Sequence, residues 1–258
     1  MLRRMFMGLL LGIMVIAVAG CSSSAKTTFQ KIEETKEMTF AMTGAYPPFN
    51  FIDENGELVG FDIDIAHAIA QKLGVKAKPI TTAWDGIISG LTGKRFDMII
   101  GSMAITEERQ KKISFTDPYY IDGAQFFAKE GSKLKDISEL KDGKVGVVTG
   151  TTFQTHLSNM KNIKEILQFD SDVDNIKSVE IGRADGLITA KLVGLYSAKR
   201  YNVAIEPIGE PLYKETIAIA IRQEDKELLA AVNKALKEIK EDGTYEKISN
   251  KWFGRNIL

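Results

Sequence analysis

The stretch Gly101-Ser102-Met103-Ala104-Ile105-Thr106-Glu107-Glu108-Arg109 follows the apolar run Met98-Ile99-Ile100. Thr106 before two acids reads as a helix start. Its hydroxyl can accept from the free N–H groups of a first turn, and acids suit that turn's positive end. Arg109 then falls about one turn in, where a guanidinium can fork two hydrogen bonds onto a carboxylate beside those N–H groups. A glycine at 101 would let the backbone approach a ligand, and the Ser102 hydroxyl can donate or accept. Two readings fit: an ordinary strand-to-helix turn with a solvated arginine, or a cradle for a ligand's carboxylate.

Weaker signals of the same kind lie elsewhere. Thr149-Gly150-Thr151-Thr152 follows another apolar run and opens a helical stretch at Phe153, which places Thr152 at a helix N-terminus. Tyr46 stands beside Pro47 and Pro48 in a loop, where a core role is hard to assign. Trp84 is as easily core, since tryptophans are mostly buried. Either ring could cover a ligand's aliphatic part or stack on a cation. His67 and His156 are far apart, and the chain has no H-E-x-x-H, GxSxG or GxxxxGK[ST] pattern. No catalytic residue, metal ligand or cofactor is therefore expected.

These residues must be carried by an exported chain. Arg3 and Arg4, the apolar stretch Met5–Ala19 and the small residues before Cys21 describe a signal peptide over residues 1–20. Roughly 15 apolar residues fall short of the ~20 that span a bilayer. Val18-Ala19-Gly20-Cys21 resembles the lipobox of bacterial lipoproteins, which implies lipidation of Cys21, followed by a flexible tether over 21–35. Cys21 is the chain's one cysteine, so no intrachain disulfide can form. The 34 basic and 34 acidic side chains cancel, and losing Arg3 and Arg4 leaves −2, without a basic field for nucleic acid.

Strands alternate with helices along the rest. Met38–Met42, Val75–Ile80 and Phe96–Ile100 read as strands, the last apolar enough to be buried on both faces. Asn55-Gly56 reads as a hairpin tip. Ile65, Ala66, Ile69, Ala70 and Leu73 recur at helical spacing before Gly74. Asp85 can cap a helix carrying Ile87, Ile88 and Leu91. Ala124–Ala128, Lys144–Val148, Ile166–Phe169 and Gly186–Thr189 are further strands, with helices over Val173–Gly182 and Leu192–Ala198. Leu228, Leu229, Val232, Ala235, Leu236 and Ile239 form one apolar helix face, and Tyr245, Ile248 and Trp252 suit a last helix. The alternation indicates an α/β protein with parallel sheets.

The segments YPPFNF (46–51), GFDIDIAHAIAQKLG (60–74), TAWDGIISGL (82–91), ITEERQKKISFTDPYY (105–120), LKDGKVGVVTGTT (140–152), GRADGLIT (182–189) and EDGTYEKISNKWFG (241–254) occur in one order. In this the chain resembles family 3 solute-binding proteins, the polar amino-acid class that feeds bacterial ABC importers. The resemblance implies a two-lobe α/β periplasmic-binding-protein-like fold of type II, with two hinge crossings and a ligand cleft between the lobes. Lobe 1 would be 36–121 plus 216–258 and lobe 2 would be 122–215, with crossings near 121–123 and 214–216. It implies a ligand site of Thr43, Tyr46, Trp84, Gly101, Ser102, Ala104, Arg109, Val148, Thr152, Phe153, Thr189 and Ala190. Arg109 would hold a carboxylate, Tyr46 and Trp84 the ligand's body, and Thr152 the closing contact. Phe49 and Phe51 are expected to pack.

One position departs from the family. Where relatives commonly carry an Asp that pairs with the ligand's α-ammonium, this chain has Ala190, and Thr43 replaces an acid of several basic-amino-acid binders. An unpaired buried ammonium loses most of what offsets its desolvation. Either the ligand is not a standard amino acid, or another group, such as Thr189 or Asp122, meets its amine. The expected function is a monomeric, lipid-anchored binding protein at the outer face of the cytoplasmic membrane or in the periplasm. It would deliver a small carboxylate-bearing solute to an ABC permease. The alternative is a secreted cyclohexadienyl dehydratase on the same fold, which needs an acid in the cleft.

Overall fold

The computed structural model describes residues 26–258. The expected signal peptide, Cys21 and the start of the tether lie outside the described residues. The tether expected to run to residue 35 is instead a helix, α1 (Thr28–Thr35), closed by a capping box of Thr27 and Gln30. Two threonines fasten it: Thr27 donates to Glu227 and Thr28 to Asp225, both at 2.7 Å, while Ile32 enters the core. The T-x-x-Q start and the buried isoleucine thus act together with these tertiary bonds.

The strand β1 (Glu37–Met42) leads to a small antiparallel sheet of β2 (Ala45–Tyr46), β3 (Asn50–Ile52) and β4 (Leu58–Val59). Its tip is the expected Asn55-Gly56 turn, with Gly56 at φ 79°. The helix α2 (Phe61–Leu73) ends at Gly74, also left-handed. The strand β5 (Lys76–Thr81) pairs with β1 in parallel. Helix α3 (Ile87–Thr92) is N-capped by Gly86 and not by the expected Asp85, which is exposed. All seven residues of β6 (Met98–Ala104) are buried. The strand therefore runs through the residues that read as a turn. The short α4 (Glu107–Gln110) and β7 (Ile113–Phe115) follow.

The chain then crosses on β8 (Tyr120–Lys129) into a second α/β unit. It comprises β9 (Gly143–Val148), α5 (Thr152–Ser158), β10 (Ile163–Phe169), α6 (Asp172–Glu180), β11 (Gly186–Ala190), α7 (Lys191–Arg200) and β12 (Ile205–Pro207). It returns on β13 (Tyr213–Arg222) and finishes with α8 (Lys226–Glu241) and α9 (Thr244–Phe253). The strand order β10-β9-β11-β8-β13-β6-β1-β5 places the two crossing strands side by side at the middle. They pair antiparallel, with Ile121, Asp122 and Gly123 opposite Thr216, Glu215 and Lys214. Pairing is parallel through β6-β1-β5 in one lobe and β10-β9-β11 in the other. The strands β8 and β13 pair antiparallel with each other and with the strands flanking them, giving the two-lobe fold.

Lobe 1 is held by the expected face of α8, with Leu228, Val232, Leu236 and Ile239 fully buried against α2. Each such side chain stabilises by roughly 1.5–3 kcal/mol. Phe49, Phe61, Tyr119, Tyr120 and Tyr245 interlock beneath the cleft at ring-centroid distances of 4.7–6.0 Å. Phe49 and Phe51 are packing residues, as expected.

Candidate functional site

Between the lobes lies a cleft lined by residues of both. From lobe 1 come Thr43, Ala45 and Tyr46 after β1, Trp84 before α3, Gly101, Ser102 and Ala104 on β6, and Arg109 on α4. From lobe 2 come Val148 and the α5 start, Thr151, Thr152 and Phe153, then Asp170, Ser171 and Asp172 at the α6 start. Glu215 enters from the crossing strand β13. Thr189 and Ala190 are buried at the end of β11 and lie outside this lining.

Arg109 is positioned by three neighbours. Its backbone N–H donates to the Thr106 hydroxyl at 3.2 Å, which confirms Thr106 as the helix cap. Its Nη1 donates to the Ala104 carbonyl at 2.8 Å, and its guanidinium carbon lies 5.4 Å from the centre of the Trp84 ring. Trp84 is therefore a platform for the arginine, a role that its sequence position did not suggest. Burial pulls the Arg109 pKa down and the Glu215 carboxylate raises it. A guanidinium remains charged through such a shift.

The 101–104 segment is shaped from behind. Ser102 adopts φ 59°, and β6 and β13 lose register between Ala218 and Ala220, so the strand bulges at the cleft. The bulge is pinned by Asp62. Its carboxylate accepts from Tyr119 Oη at 2.6 Å, Asn50 Nδ2 at 2.8 Å and Ser102 Oγ at 2.9 Å. The Ser102 N–H donates to Tyr119 Oη at 3.1 Å. The Ser102 hydroxyl proton is thus committed to Asp62. The backbone at Gly101 also packs closely, since a Cβ there would come within 3.1 Å of Met42. Burial raises the Asp62 pKa to about 6 against the pull of its three donors.

Thr152 Oγ1 donates to Glu215 on the crossing strand. Across the cleft, Trp84 Nε1 donates to the Gly150 carbonyl at 3.2 Å. At the rim Arg200 meets Glu54 at 2.7 Å. These last two contacts join the two lobes. Burial raises the Glu215 pKa, while Thr152 and Arg109 oppose the rise.

Asp172 opens α6, one residue before the helix expected over Val173–Gly182. It is 5 % exposed, and its Oδ1 has no hydrogen-bond partner. Burial raises its pKa to about 7, with the Thr189 hydroxyl nearby drawing it slightly down. Thr189 Oγ1 is itself buried and outside hydrogen-bond geometry. Asp122, a candidate amine partner in the sequence, is already engaged: its two oxygens accept from Gly123 N at 2.7 Å and Leu192 N at 3.2 Å. It serves the start of α7, where Ala190 supplies no side-chain cap. His67 is exposed and His156 packs beside Tyr213, both away from the cleft. Among the described residues no acid, His or Cys cluster could hold a metal, and no helix is long and apolar enough to cross a membrane.

A cleft between two α/β lobes, joined by paired crossing strands and carrying an oriented arginine, is the architecture of a two-lobe solute receptor. The chain belongs to the bacterial extracellular solute-binding proteins, family 3, whose model matches residues 38–255. It is 34% identical over 254 residues to the L-cystine-binding protein TcyJ of Escherichia coli K12, covering 96% of each chain. It is 36% identical to the ABC transporter arginine-binding protein 1 of the same strain, covering 84% of this chain and 91% of that one. Among solved structures, an ancestral arginine-binding protein bound to arginine superposes with a TM-score of 0.81 at 40% identity, covering 85% and 99%. The ancestral amino acid-binding protein AncCDT-1, a precursor of cyclohexadienyl dehydratase, gives 0.83 at 38%, covering 88% and 100%.

Proposed function

We propose that this protein is the extracytoplasmic substrate-binding lipoprotein of an ABC importer, capturing a polar amino acid or a related small carboxylate-bearing solute by hinge closure. The observation that carries this reading is Arg109, fixed by Ala104 and Trp84 at the wall of a cleft between two lobes. A planar guanidinium held so can fork onto a carboxylate. Relatives named for cystine and arginine support an amino-acid ligand.

Closure follows from where the contacts come from. The lobes divide at the Ile121–Gly123 and Lys214–Thr216 pair, so a small rotation of these strands opens the cleft. A solute touching Arg109 on one side and the α5 and α6 starts on the other binds both only when they meet. Its differential affinity then shifts the population toward the closed form. The chain is anchored by a lipid on Cys21 after loss of residues 1–20, faces the outside of the cytoplasmic membrane, and acts as a monomer on the permease.

The test is a thermal-shift screen over the proteinogenic amino acids, L-cystine, L-ornithine and small carboxylates. A compound at 100 times its Kd should add about 2.7 kcal/mol of stability. A protein stabilised by none of them refutes the reading. Incubation with prephenate and L-arogenate is the control for the dehydratase alternative, because Asp172 is a buried acid lining the cleft. No turnover is expected.

A further inference from the structure

The proposed function leaves a ligand's amine without its usual partner, because position 190 is alanine and outside the cleft lining. The cleft is nevertheless not short of carboxylates. Asp170, Asp172 and Glu215 line it against the guanidinium of Arg109. Asp170 is exposed, and Glu215 already accepts from Thr152 and faces Arg109. Asp172 alone of the three is buried with an oxygen that accepts no hydrogen bond. A buried carboxylate with a vacant oxygen is costly unless a cation or donor reaches it.

We propose that Asp172 is the amine-binding carboxylate of this site, so that the solute is an α-amino acid held at its ends by Arg109 and Asp172. The inference rests on the amino-acid-binding reading above and adds a residue, a lobe and a chemical requirement to it. Asp172 begins α6, which packs against β2 of the opposite lobe beside Tyr46. The ammonium is thereby received on lobe 2 while the carboxylate is received on lobe 1, and an amino acid bridges the lobes through its own two charges. Thr189 stands beside Asp172, buried behind the cleft lining. With Arg109 paired to the carboxylate and Asp172 to the amine, Asp170 and Glu215 leave the cleft acidic. A neutral or cationic side chain is accepted there, and a second acid is repelled.

The test uses the wild-type mature chain and Asp172→Asn, titrated calorimetrically with four compounds. These are L-arginine and 5-guanidinopentanoate, which lacks only the α-amine, and L-cystine with its des-amino counterpart 3,3′-dithiodipropanoate. Wild type is expected to bind at least one amino acid about 30-fold or more tightly than its des-amino partner. In Asp172→Asn that amino acid should lose a similar factor, whereas the des-amino compound should change less than threefold. Loss of both compounds, with a lowered melting temperature, would mean a damaged fold. The wild-type comparison then decides alone: equal binding of an amino acid and its des-amino partner overturns the inference. So does tight amino-acid binding by a folded Asp172→Asn, with the proposed function left standing. If no compound binds the wild type, the inference falls for these amino acids, and the thermal-shift panel separately decides the broader reading.

Discussion

Asp62 and Asp172 are both carboxylates buried beside the same cleft, one in each lobe. Asp62 is surrounded by donors from α2's neighbours, β3, β6 and the segment before β8, and every one is satisfied. Asp172 has a free oxygen. The contrast extends to the lobes. Among the described residues, the buried side-chain polar atoms without a partner belong to Gln125, Asp172, Asn175, Thr189, Ser197 and Tyr213, all between 122 and 215. Lobe 1 is a finished surface with its cradle braced from behind. Lobe 2 brings one such group, Asp172, to the cleft lining, where an added partner would satisfy it. A receptor that closes on its solute gains from this asymmetry, since a preformed half lowers the ordering cost of capture and an unsatisfied half gives the solute something to complete.

Four changes would break or sharpen that contrast. The largest effect is expected from Asp62→Ala, which strips the acceptor from Tyr119, Asn50 and Ser102. We expect a loss of about 3–5 kcal/mol in denaturant unfolding. Next, Arg109→Ala should weaken amino-acid binding at least ~100-fold, or about 3 kcal/mol. Its unliganded melting temperature should stay close to wild type, because lobe 1 is braced by Asp62 and not by Arg109.

On the unfinished side, Asp172→Asn should stabilise the unliganded protein by about 1–3 kcal/mol at pH 7.5. The sign follows from protonation. Asp172 releases its proton near pH 4 when unfolded and near 7 when folded, so the native state binds more protons in between and stability falls as pH rises through that window. Asp62 and Asp122, each raised to about 6, add to the same slope below pH 6. Denaturant unfolding from pH 4.5 to 7.5 should therefore show a decline that Asp172→Asn flattens above pH 6. The smallest effect is expected at the rim. Glu54→Ala breaks an exposed pair with Arg200 and should change stability by no more than ~1 kcal/mol.

Much of lobe 1 was legible in the sequence because its signals are local. The Thr106 cap, the Arg109 position, the α8 face and the Asn55-Gly56 tip each depend on residues a few places apart. What was missed depends on distant parts of the chain. Trp84 supports Arg109 from another element, and the Ser102 hydroxyl is held by Asp62, forty residues earlier. Asp172 reads as one acid among several at a helix start, and only the fold shows it buried with a free oxygen. The Ala190 departure was visible, but its compensation was not. Two local expectations failed: Asp85 does not cap α3, and the Thr27-x-x-Gln30 box opens a helix where a tether was expected.

The central claim is that this cleft captures an amino acid through a carboxylate held by Arg109. The most direct measurement is a calorimetric titration of wild type and Arg109→Ala with the amino acid giving the largest thermal shift. We expect saturable one-to-one binding by wild type and at least ~100-fold weaker binding by a folded Arg109→Ala. Equal affinity in the two proteins would contradict it.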